Sequence, residues 1–127
     1  MAQKHYIQTN EAPKAIGPYS QGVVMGDVVF LSGQIALIPE TGEMVNGSVT
    51  EETEQIFKNI SALLRSQNLT FENIVKVTIF LTDMSKFAEV NTEYSKYFPA
   101  NPPARSCVGV ASLPRSAKVE IEVVAGR

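Results

Sequence analysis

Tryptophan is absent from the 127 residues, and cysteine and histidine each occur once. A single cysteine, Cys107, cannot close an internal disulfide. That suits a reducing compartment, and we expect a cytoplasmic protein. The single histidine, His5, lies near a frayed N-terminal end, far in sequence from Cys107. This disfavours a Cys–His nucleophile and leaves no cluster of metal-ligand type, so no metal is expected. Eleven Lys and Arg stand against 13 Asp and Glu, a net charge of −2 with no basic run. A nucleic-acid surface is therefore not expected. No apolar run approaches the length of a membrane span, and Met1 to Gln8 contain no apolar leader core. Also missing are a Gly-rich phosphate loop, a dinucleotide fingerprint, Gly-x-Ser-x-Gly and paired aromatics of an RNA platform. Repeats, low-complexity tracts and linkers are absent too, so residues 1–127 read as one domain.

What is present is a 44% hydrophobic chain, enough for a core. Apolar, β-branched runs at Ser20–Met25 and Val28–Gly33 flank Gly26-Asp27, a two-residue hairpin turn. Pro39–Glu43 reads as a second turn, leading to a short strand near Met44-Val45. Thr50 is placed to cap a helix that Glu51 and Glu52 favour through its dipole; Ile56, Phe57, Ile60, Leu63 and Leu64 recur at helical spacing to about Asn68. Ile74–Thr82 reads as a strand with Val75, Val77, Ile79 and Leu81 on one face. Ser85 would cap a second helix carrying Phe87, Val90, Asn91, Tyr94, Tyr97 and Phe98 on one stripe, stopped by Pro99. Strands at Arg105–Ala111 and Lys118–Val124 complete an α+β order, β-β-(β)-α-β-α-β-β, with a mixed sheet. Two helices cover one face of such a sheet. Yet Val28 and Phe30 oppose Val29 and Leu31, and Phe80 opposes Ile79 and Leu81, so both faces are apolar. Something must bury the second face, and an oligomer interface is the economical answer.

Chemistry concentrates at Asn101–Ala111. Pro102 and Pro103 exclude a helix, so Arg105 enters an extended segment. Arg105 and Cys107 then share a face with the small Gly109 and Ala111, leaving room for a guanidinium fork to take a carboxylate or phosphate. The plainer alternative is a surface arginine paired with Glu120 or Glu122. Glu120 shares a face with Lys118, Glu122 and Val124; it is either an exposed charge on an edge strand or, against a second subunit, a carboxylate able to position or deprotonate water. Cys107 reads as a small buried hydrophobe forming a pocket wall, although a neighbouring guanidinium favours its thiolate. Tyr19 is presented by the turn Gly17–Gly22, where most tyrosines simply pack. Ser32-Gly33 ends a strand, and the Gly33 N–H is free to meet an oxyanion. Asn91 is the polar residue on an apolar helical stripe, either bonded to core backbone or facing a pocket.

Ala104-Arg105-Ser106-Cys107-Val108, then Ala111-x-Leu113 and Val119-Glu120-Ile121, resemble the C-terminal signature of the reactive-intermediate imine deaminases, the Rid or YjgF family. Ala15–Gln21, Phe30–Gln34 and Lys76–Met84 resemble further blocks of that family, in order and over nearly the whole chain. The resemblance implies a chorismate-mutase-like α+β fold, with helices outside a trimeric barrel and active sites between subunits. It implies cofactor-independent hydrolysis of 2-imino acids, or their enamine tautomers, to 2-oxo acids and ammonia. Such substrates include 2-iminobutanoate and 2-iminopropanoate (2-aminoacrylate), and their removal protects pyridoxal-phosphate enzymes. By resemblance, Arg105 binds the carboxylate, Glu120 positions or activates water, and Tyr19 and Ser32 line the pocket with Gly33, Cys107 and Asn91. Two other readings remain: a non-catalytic binder of small carboxylates, and an endoribonuclease or translation inhibitor, against which the acidic balance argues.

Overall fold

The structure is a computed structural model that describes residues 3–127. Met1 and Ala2, part of the segment read for a leader, lie outside the described residues. The strands are β1 (Lys4–Ile7), β2 (Gly22–Met25), β3 (Val28–Leu31), β4 (Ile74–Leu81), β5 (Ala104–Gly109) and β6 (Val119–Gly126). The helices are α1 (Val49–Arg65) and α2 (Phe87–Ser95). The six strands form one sheet in the order β1-β2-β3-β6-β4-β5. β4 and β5 are parallel, and every other neighbouring pair is antiparallel. Both helices pack on one face, as the sequence predicts.

β2 and β3 turn on Gly26-Asp27, where Gly26 takes the positive φ of 59° that the tight turn requires. Leu37 and Met44 bridge across the Pro39–Glu43 turn. α1 starts earlier than Thr50. Its cap is Ser48, whose hydroxyl accepts from Glu51 N at 3.2 Å while Glu51 Oε1 accepts from Ser48 N at 3.0 Å. It ends at Arg65, short of Asn68, which turns the chain at φ 60°. Ser85 does not cap α2. Asp83 caps a short 3₁₀ turn, Met84–Lys86, and Ser85 is its donor. The terminal segment holding His5 is not frayed: it is β1, paired through His5 with Val24.

Ile56, Phe57, Ile60, Leu63 and Leu64 of α1 are fully buried against Val29, Val77, Ile79, Leu81, Val119, Ile121, Val123 and Ala125. Each large side chain there contributes about 1.5–3 kcal/mol through burial. Val75 does not join Val77, because an irregularity between Ile74 and Lys76 puts Ile74 in the core and leaves Val75 exposed. An aromatic cluster, with Phe57 and Tyr97 stacked at 4.3 Å and Tyr94 edge-on at 5.9 Å, fastens α2 to α1. On the opposite face the row Tyr6–Val23–Phe30–Val124 crosses four strands with no helix over it. Phe30 keeps 49% of its surface exposed and Val108 keeps 44%. Among the described residues no helix is long and apolar enough to cross a membrane.

Candidate functional site

The sequence-predicted residues fall into two clusters. The first lies on the open face. Residues 32–34 leave the end of β3 and bend across β6, where Gln34 and Ile121 exchange backbone hydrogen bonds at 2.8 and 3.0 Å. That crossing sets Gly33 over Glu120. A methyl group at Gly33 would collide with Glu120 Oε2 and stand 3.0 Å from its Cδ, so only glycine admits the carboxylate in this position. Ser32 is held by its backbone, donating to Gln21 O at 3.0 Å, and by its hydroxyl, donating to Ser20 O at 2.5 Å. Tyr19 closes the wall, 52% exposed, its hydroxyl accepting from Ile16 N at 3.2 Å. Tyr19, Ser32, Gly33 and Glu120 together line a cavity of about 550 Å³, with Gln34 and Glu122 beside them.

β6 is not an edge strand, as the plainer reading of Glu120 assumed. It lies between β3 and β4, and Glu120 is half-buried opposite Phe80. Burial raises the Glu120 pKa above the usual glutamate value, and the like charge of Glu122 adds to the rise.

The second cluster lies at the β5 edge of the sheet, on the helix-covered face. β5 is the edge strand, and its register sets Arg105 beside Val77 and Cys107 beside Ile79, both helix-facing. Arg105 pairs with neither Glu120 nor Glu122. Its Nη1 donates to Asn91 Oδ1 at 2.7 Å, and its guanidinium carbon lies 4.8 Å from the Tyr94 ring centroid and 5.3 Å from that of Phe87. Phe87, Asn91 and Tyr94 follow one another at helical spacing, so one face of α2 orients the arginine. Asn91 thus serves the arginine and not the core backbone. Gly109 does not leave room for a ligand, because Met84 Cγ sits 2.9 Å from where its Cβ would be. The remaining guanidinium donors of the exposed Arg105 point to solvent, where a carboxylate has access.

Cys107 is half-buried against the core. Burial pushes its thiol pKa up, and Arg105 only partly offsets this, so the guanidinium does not make it a thiolate at neutral pH. The sequence reading missed Phe87 and Tyr94 as supports for Arg105, although both were on the stripe that carries Asn91. It also missed Lys14, Ile16, Gln21 and Gln34 in the cavity wall, where no periodicity marks a loop residue as lining. Among the described residues no group of three or more His, Cys, Asp or Glu could hold a metal ion.

Residues 9–126 match the family described as Endoribonuclease L-PSP. Reactive Intermediate Deaminase A, chloroplastic, from Arabidopsis thaliana is 48% identical over 123 residues, 97% of this chain and 66% of that protein. The 2-iminobutanoate/2-iminopropanoate deaminase of Homo sapiens is 43% identical over 122 residues, 96% of this chain and 89% of that one. Among solved structures, E. coli TdcF with bound serine superposes with a TM-score of 0.92 at 43% identity, covering 97% of this chain and 98% of the other.

Proposed function

The chain belongs to the L-PSP/YjgF family of reactive-intermediate deaminases, and from that premise we propose that it hydrolyses small 2-imino acids, such as 2-iminobutanoate and 2-iminopropanoate, to 2-oxo acids and ammonia. The observation that carries this is the chemistry of the two clusters. One offers an oriented, solvent-facing guanidinium; the other offers a cavity with a raised-pKa carboxylate. An imine carbon is already electrophilic and needs no covalent nucleophile, which accords with the protonated Cys107 thiol.

Arg105 holds the substrate carboxylate through the donors that Asn91 leaves free. Water adds to the carbon of the protonated imine while Glu120 accepts a water proton, giving a neutral carbinolamine. Glu120 passes that proton to the nitrogen; as the C–N bond breaks, the carbinolamine hydroxyl becomes the 2-oxo group and gives its proton to Glu120, which hands it to the departing ammonia. Such proton transfer contributes roughly 10²–10⁴-fold. Tyr19 and Ser32 order water and substrate in the cavity.

The two clusters lie on opposite faces of one sheet, so we place them together across a subunit boundary. A homotrimer packed through the open faces buries the Phe30 row and seats one protomer's Arg105 against its partner's cavity. The serine bound to TdcF, an amino acid with a carboxylate, accords with this ligand class. Removal of such imines protects pyridoxal-phosphate enzymes, and the free thiol of Cys107 suits a reducing compartment such as the cytoplasm.

The acid limb of the pH profile should belong to Glu120. A raised carboxyl pKa means that the active carboxylate form is lost at higher pH than for an ordinary glutamate. Activity should therefore rise with pH through a midpoint above 4.5. Glu120→Gln should flatten that limb; an unchanged limb in the variant would remove Glu120 from the proton transfers.

Gly33→Ala should separate stability from activity. The clashing atoms belong to the flexible end of Glu120, which swings aside at little cost to folding. The carboxylate then leaves the imine carbon, and turnover should fall about tenfold or more. Thermal unfolding beside steady-state imine hydrolysis checks both halves.

A further inference from the structure

We propose that Gln21 is a positioning residue that clamps the loop of residues 9–19 to the sheet and so fixes Tyr19 in the cavity wall; the chemistry it serves is the deaminase reading above. Gln21 stands where the loop enters β2, yet its side chain turns inward and the residue is 5% exposed. Its Oε1 accepts from Thr9 N at 2.7 Å. Its Nε2 donates to Thr9 O at 3.0 Å and Pro13 O at 2.9 Å, with Ala12 O at 3.5 Å. Carbonyl oxygens can only accept and the Thr9 N–H can only donate, so these partners fix the orientation of the amide. The backbone carbonyl of the same residue takes the Ser32 N–H at 3.0 Å. One residue thus ties the loop to the Ser32–Gly33 wall facing it.

Among the described residues, the side chain of Gln21 makes the hydrogen bonds that join residues 9–19 to the rest of the fold. The other ties are local, such as Glu11 N to Thr9 Oγ1 at 3.2 Å, or an exposed Glu11–Arg65 ion pair at 3.9 Å. Two cavities adjoin the loop. The catalytic cavity lies against Pro13, Lys14, Ile16 and Tyr19, and a second cavity of about 510 Å³ lies against Lys14, Ala15 and Tyr19. Packing holds it only at buried Ala12 and half-buried Thr9, Pro13 and Ala15, and the rest of the loop is exposed. The amide clamp holds the loop, and through it the tyrosine.

The test uses the intact protein and Gln21→Met, which keeps the length of the side chain and removes its donors. Amide hydrogen exchange should quicken roughly tenfold over residues 13–19 and stay unchanged in α1 and β4. Turnover should fall about tenfold to a hundredfold, as for a misplaced catalytic group. In a Tyr19→Phe background the same substitution should cost less than about twofold, because the two residues act as a unit. An equal loss in both backgrounds, or unchanged exchange in the loop, would overturn the proposal. Should Gln21→Met fail to fold, Gln21→Asn, whose amide falls one methylene short, goes through the same measurements with the same outcomes. If the unaltered protein hydrolyses no imine, the deaminase reading falls, and the exchange result alone decides the clamp.

Discussion

Arg105→Ala should lower imine hydrolysis by roughly 10²–10⁴-fold while leaving fold and assembly intact. A bidentate guanidinium–carboxylate contact supplies two charge-assisted hydrogen bonds of about 1.5–3 kcal/mol each. At about 1.36 kcal/mol per factor of ten, their loss accounts for the range. The structural cost is small, because Arg105 is exposed on an edge strand and loses only its contacts with the Phe87 and Tyr94 rings and Asn91. Arg105→Lys should recover little, since an ammonium keeps the charge but not the fork. The assay generates 2-iminobutanoate in situ and follows its loss against trapping by semicarbazide. Undiminished hydrolysis by the alanine variant would dismiss Arg105 as the carboxylate anchor.

The sequence makes the helix-facing core legible because its periodicities are clean. α1 buries the apolar residues that helical spacing selects, and β4 buries Val77, Ile79 and Leu81 in alternation. Val75 breaks the pattern because the irregularity beside Lys76 adds a residue, which alternation cannot register. Local competition decides the caps. Ser48 and Thr50 are both fit to start α1, and Ser48 wins because it alone places Glu51 three residues on for the reciprocal bond. At the site, the proline lead and strand alternation single out Arg105, and the family resemblance singles out Glu120. Their relation is a matter of topology: β6 enters the sheet between β3 and β4, while β5 forms the edge. A strand order of this kind depends on long-range pairing that no short window encodes. The supports of Arg105 were half visible, as Phe87 and Tyr94 were on the right stripe but read as packing. Gln21 was invisible as a clamp, because a loop glutamine carries no pattern until its partners are placed.

That topology yields the second large effect: two inactive variants should restore activity when mixed. Arg105 and Glu120 face opposite sides of the sheet, and the strand of Glu120 lies two positions from the edge strand of Arg105. Two strand spacings amount to about 10 Å. In a 2-imino acid the carboxylate carbon is bonded directly to the imine carbon, so one small substrate cannot meet both groups of a single chain. Across a heterologous interface it can. Gly33→Val puts a larger side chain than alanine where the Glu120 carboxylate sits and should abolish the cavity half of the site. Arg105→Ala abolishes the anion half. Co-expressed in equal amounts, the two chains assemble at random. About a quarter of sites then join an intact Arg105 from one chain to an intact Gly33–Glu120 cavity from its neighbour, so about a quarter of the normal activity returns. Separately purified variants, measured alone, set the baseline. If each site belongs to one chain, every site in the mixture carries a defect, and activity stays at that baseline.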